Sequence, residues 1–208
     1  MLVFAAICPH PPIILPEIGG EELKKVKKTV SAMEKLATIF EKSRPEKAAI
    51  ISPHPTPEHG AQVPLYYLMR GLPNLPIEEL SISFDSYQNH FDWGKKMGKK
   101  YQTDPKKVAF IASGDLSHRL KEEGPYGFHP AGPKFDEKLI KLIQDKDIKG
   151  ILDLDSNLIE NAGECGLRSI CFLFGVLDGL EFKPEILSYE GPFGVGYLVA
   201  NFKIRQSA

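Results

Sequence analysis

The 208-residue sequence has only three cysteines, and their spacing shows no pairs; they are Cys8, Cys165 and Cys171. So sparse and odd-numbered a set excludes a disulfide framework and a cysteine-based zinc finger, and we expect reduced thiols. The sequence also lacks a glycine-rich phosphate loop and a dinucleotide-binding fingerprint. Phosphoryl transfer and nucleotide-dependent chemistry are therefore disfavoured.

An excess of charge of either sign is absent too, since 26 Lys and Arg residues stand against 27 Asp and Glu residues. No overall charge draws the chain to nucleic acid or to an anionic membrane. The apolar stretch at the amino terminus has no basic flank and is interrupted by Pro9, Pro11 and Pro12. This argues against a signal peptide or a membrane span there, and we expect a cytoplasmic protein without nucleic-acid or membrane partners.

Three apolar runs, each typical of a buried strand, lead directly into a histidine. Residues 2–7 precede His10, residues 48–51 precede His54, and residues 108–112 precede the segment that contains His118. In an open α/β sheet, ligands bind beyond the carboxyl ends of the strands, so these imidazoles can converge although they lie far apart in sequence. Convergent imidazoles indicate a metal site.

The remaining pattern alternates between helical and strand periodicity and predicts one α/β domain over residues 1–208. A short helix is expected within residues 56–76, and residues 87–102 show helical spacing. Further helices are expected over residues 21–41, 133–144, 148–154 and 163–177, and strands over 77–84, 182–189 and 195–204.

Further candidate residues lie beside these histidines. His59 follows His54 by five residues and can reach the same crevice, although a surface turn explains it equally well. Asp115 precedes His118 by three residues, where its carboxylate can orient the imidazole or, alternatively, cap a helix. We assign His118 the role of proton shuttle.

The third metal ligand has two candidates. An iron site of the two-histidine, one-carboxylate type needs an acidic side chain, and Glu164 is the leading choice, although helix capping also explains it. Cys165 is the alternative, because a thiolate at a helix start has a lowered pKa and binds soft metals. Alternatively, Cys165 is simply a small buried residue of the core.

The long loop of residues 121–133 contains three glycines, three prolines and His129, a composition common in active-site lids. Tyr126, Phe128 and His129 could close over an aromatic ring, or they could pack the loop onto the core.

Four short motifs resemble, in order, those of the LigB-type class III extradiol ring-cleavage dioxygenases and their Memo-like relatives. The motifs are Pro9-His10-Pro11-Pro12, Ser52-Pro53-His54, Glu58-His59-Gly60 with Val63-Pro64-Leu65, and Ser113-Gly114-Asp115-Leu116-Ser117-His118. The resemblance implies a three-layer αβα sandwich around a mostly parallel or mixed sheet. It also implies non-haem Fe(II) bound by His10 and His54.

The same resemblance suggests roles for the other residues. His118 is similar to the catalytic acid/base, with Asp115 beside it, and His59 to a histidine that contacts substrate or supports the metal ligands. Glu164 matches the family's carboxylate ligand by position, whereas Cys165 resembles a cysteine of Memo-like proteins. Extradiol relatives often work with a second subunit, so we expect one, or a homo-oligomer.

Three functions follow as hypotheses. The first is Fe(II)-dependent extradiol cleavage of a catechol-like aromatic substrate by O2. The second is a metal-dependent hydrolase in which Zn²⁺ activates water. The third is a Memo-like metal-binding or redox protein without ring cleavage.

Overall fold

The structure, a computed structural model, describes residues 1–54 and 58–205. These form one mixed sheet flanked by helices. The strands are β1 (Leu2–Cys8), β2 (Lys47–Ser52), β3 (Ile77–Ser81), β4 (Val108–Ser113), β5 (Phe182–Glu190) and β6 (Tyr197–Ile204). The α-helices are α1 (Pro16–Gly19), α2 (Lys27–Ser43), α3 (His59–Leu68), α4 (Tyr87–Gln102), α5 (Ala131–Asp145), α6 (Ile148–Leu152), α7 (Ser156–Ala162) and α8 (Leu167–Val176).

The strand order in the described part of the sheet is β3-β2-β4-β1-β6-β5. β3, β2, β4 and β1 are parallel, whereas β6 runs antiparallel to β1, and β5 antiparallel to β6. This confirms the predicted α/β class with a mostly parallel, mixed sheet.

Both faces of the sheet are buried, which explains why the central strands are apolar without polar alternation. In β1, Phe4, Ala6 and Cys8 pack on one side with residues of α2 and α3. Ala5 and Ile7 pack on the other side, where α4, α5 and α8 contribute the core. The arrangement is a three-layer αβα sandwich, as the family resemblance implied.

Two helix boundaries differ from the predicted ones. Residues 21–41 are not one α-helix, because a 3-10 helix, Gly20–Val26, precedes α2 and Val26, with a φ of −112° and a ψ of 25°, separates the two. Gly163, with a φ of +63°, ends α7 instead of starting a helix, and α8 begins only at Leu167. The hydrophobic pattern did not predict α7. The expected helix within residues 56–76 is α3, and residues 56 and 57 lie outside the described part.

The parallel strands β1, β2 and β4 end at the same edge of the sheet. Cys8 of β1 pairs with Ser113 of β4, and Ile51 of β2 pairs with Ala112 of β4. The segments that carry the candidate histidines therefore leave the sheet side by side.

Candidate metal centre

His10 and His54 converge at this edge, as the sequence predicted. Their ring centroids are 5.0 Å apart. One ligand atom from each of His10, His54 and Cys165 lies within 4.8 Å of the others. Since such a spacing lets three donors share one ion, these residues form the first group of potential ligands.

His59 is the first residue of α3 and lies next to this group. Its ring centroid is 4.8 Å from that of His54 and 5.3 Å from that of His10. It is half-buried and faces the crevice, so the surface-turn alternative does not apply. The groups of potential ligands found among residues 1–54 and 58–205 do not include it.

Asp115 lies in the irregular segment that follows β4, and no helix begins there. Its Oδ1 accepts a hydrogen bond from the backbone N–H of His10 at 3.0 Å, and its Oδ2 lies 3.7 Å from Nε2 of His10. Asp115, His118 and Cys165 form a second group with ligand atoms within 4.8 Å of one another. Cys165 thus belongs to both groups.

The structure does not bring Glu164 together with the histidines. Its Oε2 accepts a hydrogen bond from the N–H of Leu167 at 2.5 Å, which is the capping role at the start of α8. Neither ligand group of the described residues contains it. The next residue, Cys165, points to the cluster instead: its Sγ accepts the N–H of Asp115 at 3.3 Å and lies 3.6 Å from Nε2 of His10.

Burial shifts the pKa values of these groups toward their neutral forms. It lowers the pKa of His10 to about 3, with the neighbouring His54 and His59 adding to the effect. It raises the pKa of Asp115 to about 6 and that of the Cys165 thiol well above its usual range. Burial also raises the pKa of Glu164 to about 7. Without a cation, the His10 ring and the Cys165 thiol are therefore neutral near pH 7, whereas Asp115, with a pKa of about 6, is mostly ionised.

One ring nitrogen of His118, Nε2, is buried without a hydrogen-bond partner among the described residues. Burial lowers the pKa of His118, although the nearby Asp115 opposes this shift. The ring of the largely exposed Tyr126 lies 5.1 Å from the His118 ring, measured between centroids.

The loop that carries Tyr126 is tied down at its ends. Leu120 pairs with the partly exposed Phe128 in an isolated bridge. Nδ1 of His129 accepts the N–H of Ala131 at 3.1 Å, so this histidine supports the start of α5. Tyr126 thus covers His118, whereas His129 packs the loop onto the domain.

The residues present fit a transition-metal ion. Two imidazoles, a thiol and a carboxylate are the donor types that such ions select. The unpartnered Nε2 of His118 is a further buried polar atom that a ligand could satisfy. The donor types and their approach to within 4.8 Å together support a metal centre.

Sequence reasoning missed Asp136, which supports the segment that carries His118. This fully buried carboxylate accepts the N–H of Ser117 at 2.8 Å and the hydroxyl of Tyr189 at 2.6 Å. Asp136 lies three residues before Leu139 and seven before Ile143, on the apolar face of α5. A carboxylate on a buried stripe was the signal that could have revealed it.

Asp136 predicts a pH dependence of stability. Burial raises the pKa of Asp136 from 3.8 to about 7. Its contribution to the free energy of unfolding is therefore fully present below its pKa in the unfolded chain, and it is lost as the pH rises through about 7. We expect the loss to reach about 4 kcal/mol across that window. Asp136→Asn keeps an acceptor for Ser117 and should flatten the curve. Denaturant unfolding of both proteins from pH 4 to 8 measures this, and parallel curves would contradict it.

No helix in the described part of the chain is long and apolar enough to cross a bilayer.

Two comparisons place the chain among known proteins. It is 31% identical to Protein CA_C1420 of Clostridium acetobutylicum over 258 aligned residues, covering 92% of this chain and 55% of the relative. The chain thus spans about half the length of that relative. The fold is similar to the crystal structure of an uncharacterized protein of Escherichia coli K12, with a TM-score of 0.63, 15% identity, and coverage of 96% of this chain and 99% of that one.

A match to a family profile identifies the family of this chain. The profile described as the catalytic LigB subunit of aromatic ring-opening dioxygenase matches residues 55–200. The matched region includes His59, Asp115, His118 and Cys165, whereas His10 and His54 precede it. Because the match extends over more than half of the sequence, the chain belongs to the LigB family.

Proposed function

We propose that this chain is a metal-dependent oxidoreductase of the dioxygenase type whose ion is held by His10, His54 and Cys165. The observation that carries the proposal is the approach of these three ligand atoms to within 4.8 Å of one another. Cys165 takes the place that sequence reasoning gave to Glu164, because the Glu164 carboxylate is engaged at the start of α8.

The donor set suits an ion that tolerates a sulfur ligand. Two histidines with a carboxylate are typical of non-haem Fe(II), whereas thiolate ligands select softer ions such as Cu(I) and Zn²⁺. The carboxylate of Asp115, 3.7 Å from Nε2 of His10, adds an oxygen donor beside the group. Fe²⁺ remains our first choice for a dioxygenase-type reaction, and Zn²⁺ is the alternative for a redox-inert form.

The protein's own groups handle protons beside this centre. Burial keeps His118 neutral near pH 7, so its unpartnered Nε2 can accept a proton from a bound substrate. Asp115, whose pKa is raised to about 6, lies in the same group and stabilises the imidazolium that forms. A bound ion would supply substrate chelation and dioxygen activation.

Anaerobic metal analysis followed by titration tests the proposal. We expect metal-free protein to bind one equivalent of Co²⁺, used as a spectroscopic probe, and to show a thiolate-to-metal absorption band. His10→Ala and His54→Ala should each abolish tight binding, since each removes a ligand. His129→Asn is the matched control, because that histidine lies outside both groups.

Two outcomes would overturn the proposal. One is the absence of ion binding by the wild type under these conditions. The other is equal binding by the wild type and the two histidine-to-alanine variants.

Extradiol cleavage of a catechol-like substrate is the finer proposal for the activity. It is favoured by the family profile and by the exposed Tyr126 ring over His118, where an aromatic substrate could stack. We expect oxygen uptake with catechols by the Fe²⁺-loaded protein. His118→Ala should keep the ion and lose roughly 10²- to 10⁴-fold in turnover. Turnover that needs no oxygen would favour a hydrolase instead.

A further inference from the structure

The last residue of β4, Ser113, is fully buried behind the cluster. Its Oγ lies 3.0 Å from Nδ1 of His10. The same hydroxyl donates a hydrogen bond to the carbonyl oxygen of Gly60, in the first turn of α3. One hydroxyl thus connects a candidate metal ligand to a backbone carbonyl.

A count of hydrogens assigns the direction of these two bonds. The Gly60 carbonyl can only accept, so the single hydroxyl hydrogen of Ser113 is directed to it. Only oxygen lone pairs then remain to face His10. Nδ1 of His10 must therefore carry the hydrogen of the neutral ring, and Nε2 must carry the lone pair.

The atoms around Nε2 are those of a potential metal site. It lies 3.6 Å from Sγ of Cys165 and 3.7 Å from Oδ2 of Asp115. A lone pair on Nε2 therefore points to the place where the thiol and the carboxylate also present their donor atoms. Free histidine favours the opposite tautomer, with the hydrogen on Nε2, so the protein must impose this one.

Close packing around Gly60 keeps its carbonyl oxygen in place for the hydrogen bond from Ser113. A Cβ at Gly60 would lie 2.0 Å from Oγ of Ser52 and 2.8 Å from the carbonyl oxygen of His54. Ser52 in turn accepts the N–H of His54 at 3.1 Å. Because no larger residue fits there, Gly60 can bring its carbonyl up to Ser113.

We propose that Ser113 is a positioning residue that sets the tautomer of His10 and so directs the Nε2 lone pair at the metal. This rests on the proposed metal centre, to which it adds a residue that is not itself a ligand. Partners of this kind fix ring orientation and ligand basicity in metal sites.

The tautomer can be read without any metal. In metal-free, ¹⁵N-labelled protein, long-range ¹H–¹⁵N spectra at pH 7.5 should show His10 with a protonated Nδ1 and an unprotonated Nε2. In Ser113→Ala the ring should shift toward the Nε2-protonated form. A wild-type His10 that is protonated on Nε2 overturns the inference, and this measurement requires no variant to fold.

Metal affinity provides the second readout. Ser113→Ala should weaken Co²⁺ binding by about 10- to 100-fold with one equivalent still bound. Ser169→Ala is the control, because its hydroxyl is also buried and has no partner among the described residues. Affinity in Ser113→Ala equal to that of Ser169→Ala overturns the inference. Failure of the wild type to bind any ion refutes the metal centre, whereas the tautomer measurement remains informative.

Discussion

Cys165→Ser is expected to abolish tight metal binding, whereas Glu164→Gln leaves it within about threefold of the wild type. Cys165 contributes to both ligand groups, while Glu164 caps α8. Loss of a ligand should exceed the roughly 10- to 100-fold cost of losing a group that only orients one. Co²⁺ titration measures the affinities, and Cys165→Ser should also remove the thiolate-to-metal band.

The pH dependence of binding sharpens this prediction. Burial and the neighbouring Asp115 raise the pKa of the Cys165 thiol, so the metal-free protein holds a proton on sulfur. An ion that binds the thiolate must release this proton, and the wild-type affinity should rise about tenfold per pH unit between pH 7 and 9. Cys165→Ser should lack this slope. Binding by Cys165→Ser with loss in Glu164→Gln would return the third ligand to Glu164.

Gly114→Ala is expected to destabilise the fold by about 3 kcal/mol and to weaken metal binding with it. A Cβ at Gly114 would lie 2.3 Å from Cα of Gly166, which is backbone and cannot rotate away. This contact joins the segment of Asp115 to the segment of Cys165, where the N–H of Gly166 also bonds to the Asp115 carbonyl at 2.9 Å. An added methyl must therefore separate the two segments.

Thermal unfolding and Co²⁺ titration measure the two effects, and for a chain of this size the melting temperature should fall by about 6 to 12 °C. Gly71→Ala is the matched control, because the nearest atoms to its Cβ belong to the flexible carboxylate of Glu41 at the surface. We expect it to shift the melting temperature by less than about 2 °C. A Gly114→Ala protein as stable as Gly71→Ala would show that the segments can part without cost.

Hydrophobic pattern was sufficient to predict the α/β class and the convergence of His10 and His54 at one edge of the sheet. Runs such as residues 108–112 are apolar throughout because both faces of the parallel strands are buried. Parallel strands end at the same edge, so residues just beyond them converge whatever their separation in sequence. The resemblance in the motifs around these residues then indicated the family.

Local pattern could not predict where loop residues point. Glu164 and Cys165 are adjacent, yet one caps α8 and the other faces His10. That choice follows from the end of α7 at Gly163 and from the contact between Gly114 and Gly166, which joins residues far apart in the chain. The direction in which a loop side chain points depends on such long-range packing, and it cannot be predicted from a short stretch of sequence.

The sequence by itself determined the α/β class and the three strand ends from which the histidines project, because burial and periodicity act locally along each strand. Only the tertiary structure showed that Cys165, rather than Glu164, lies beside His10 and His54. It also revealed the hydroxyl of Ser113 behind His10. Hydrogen bonds between distant segments have no periodicity along the chain, so they are visible only when those segments are in contact.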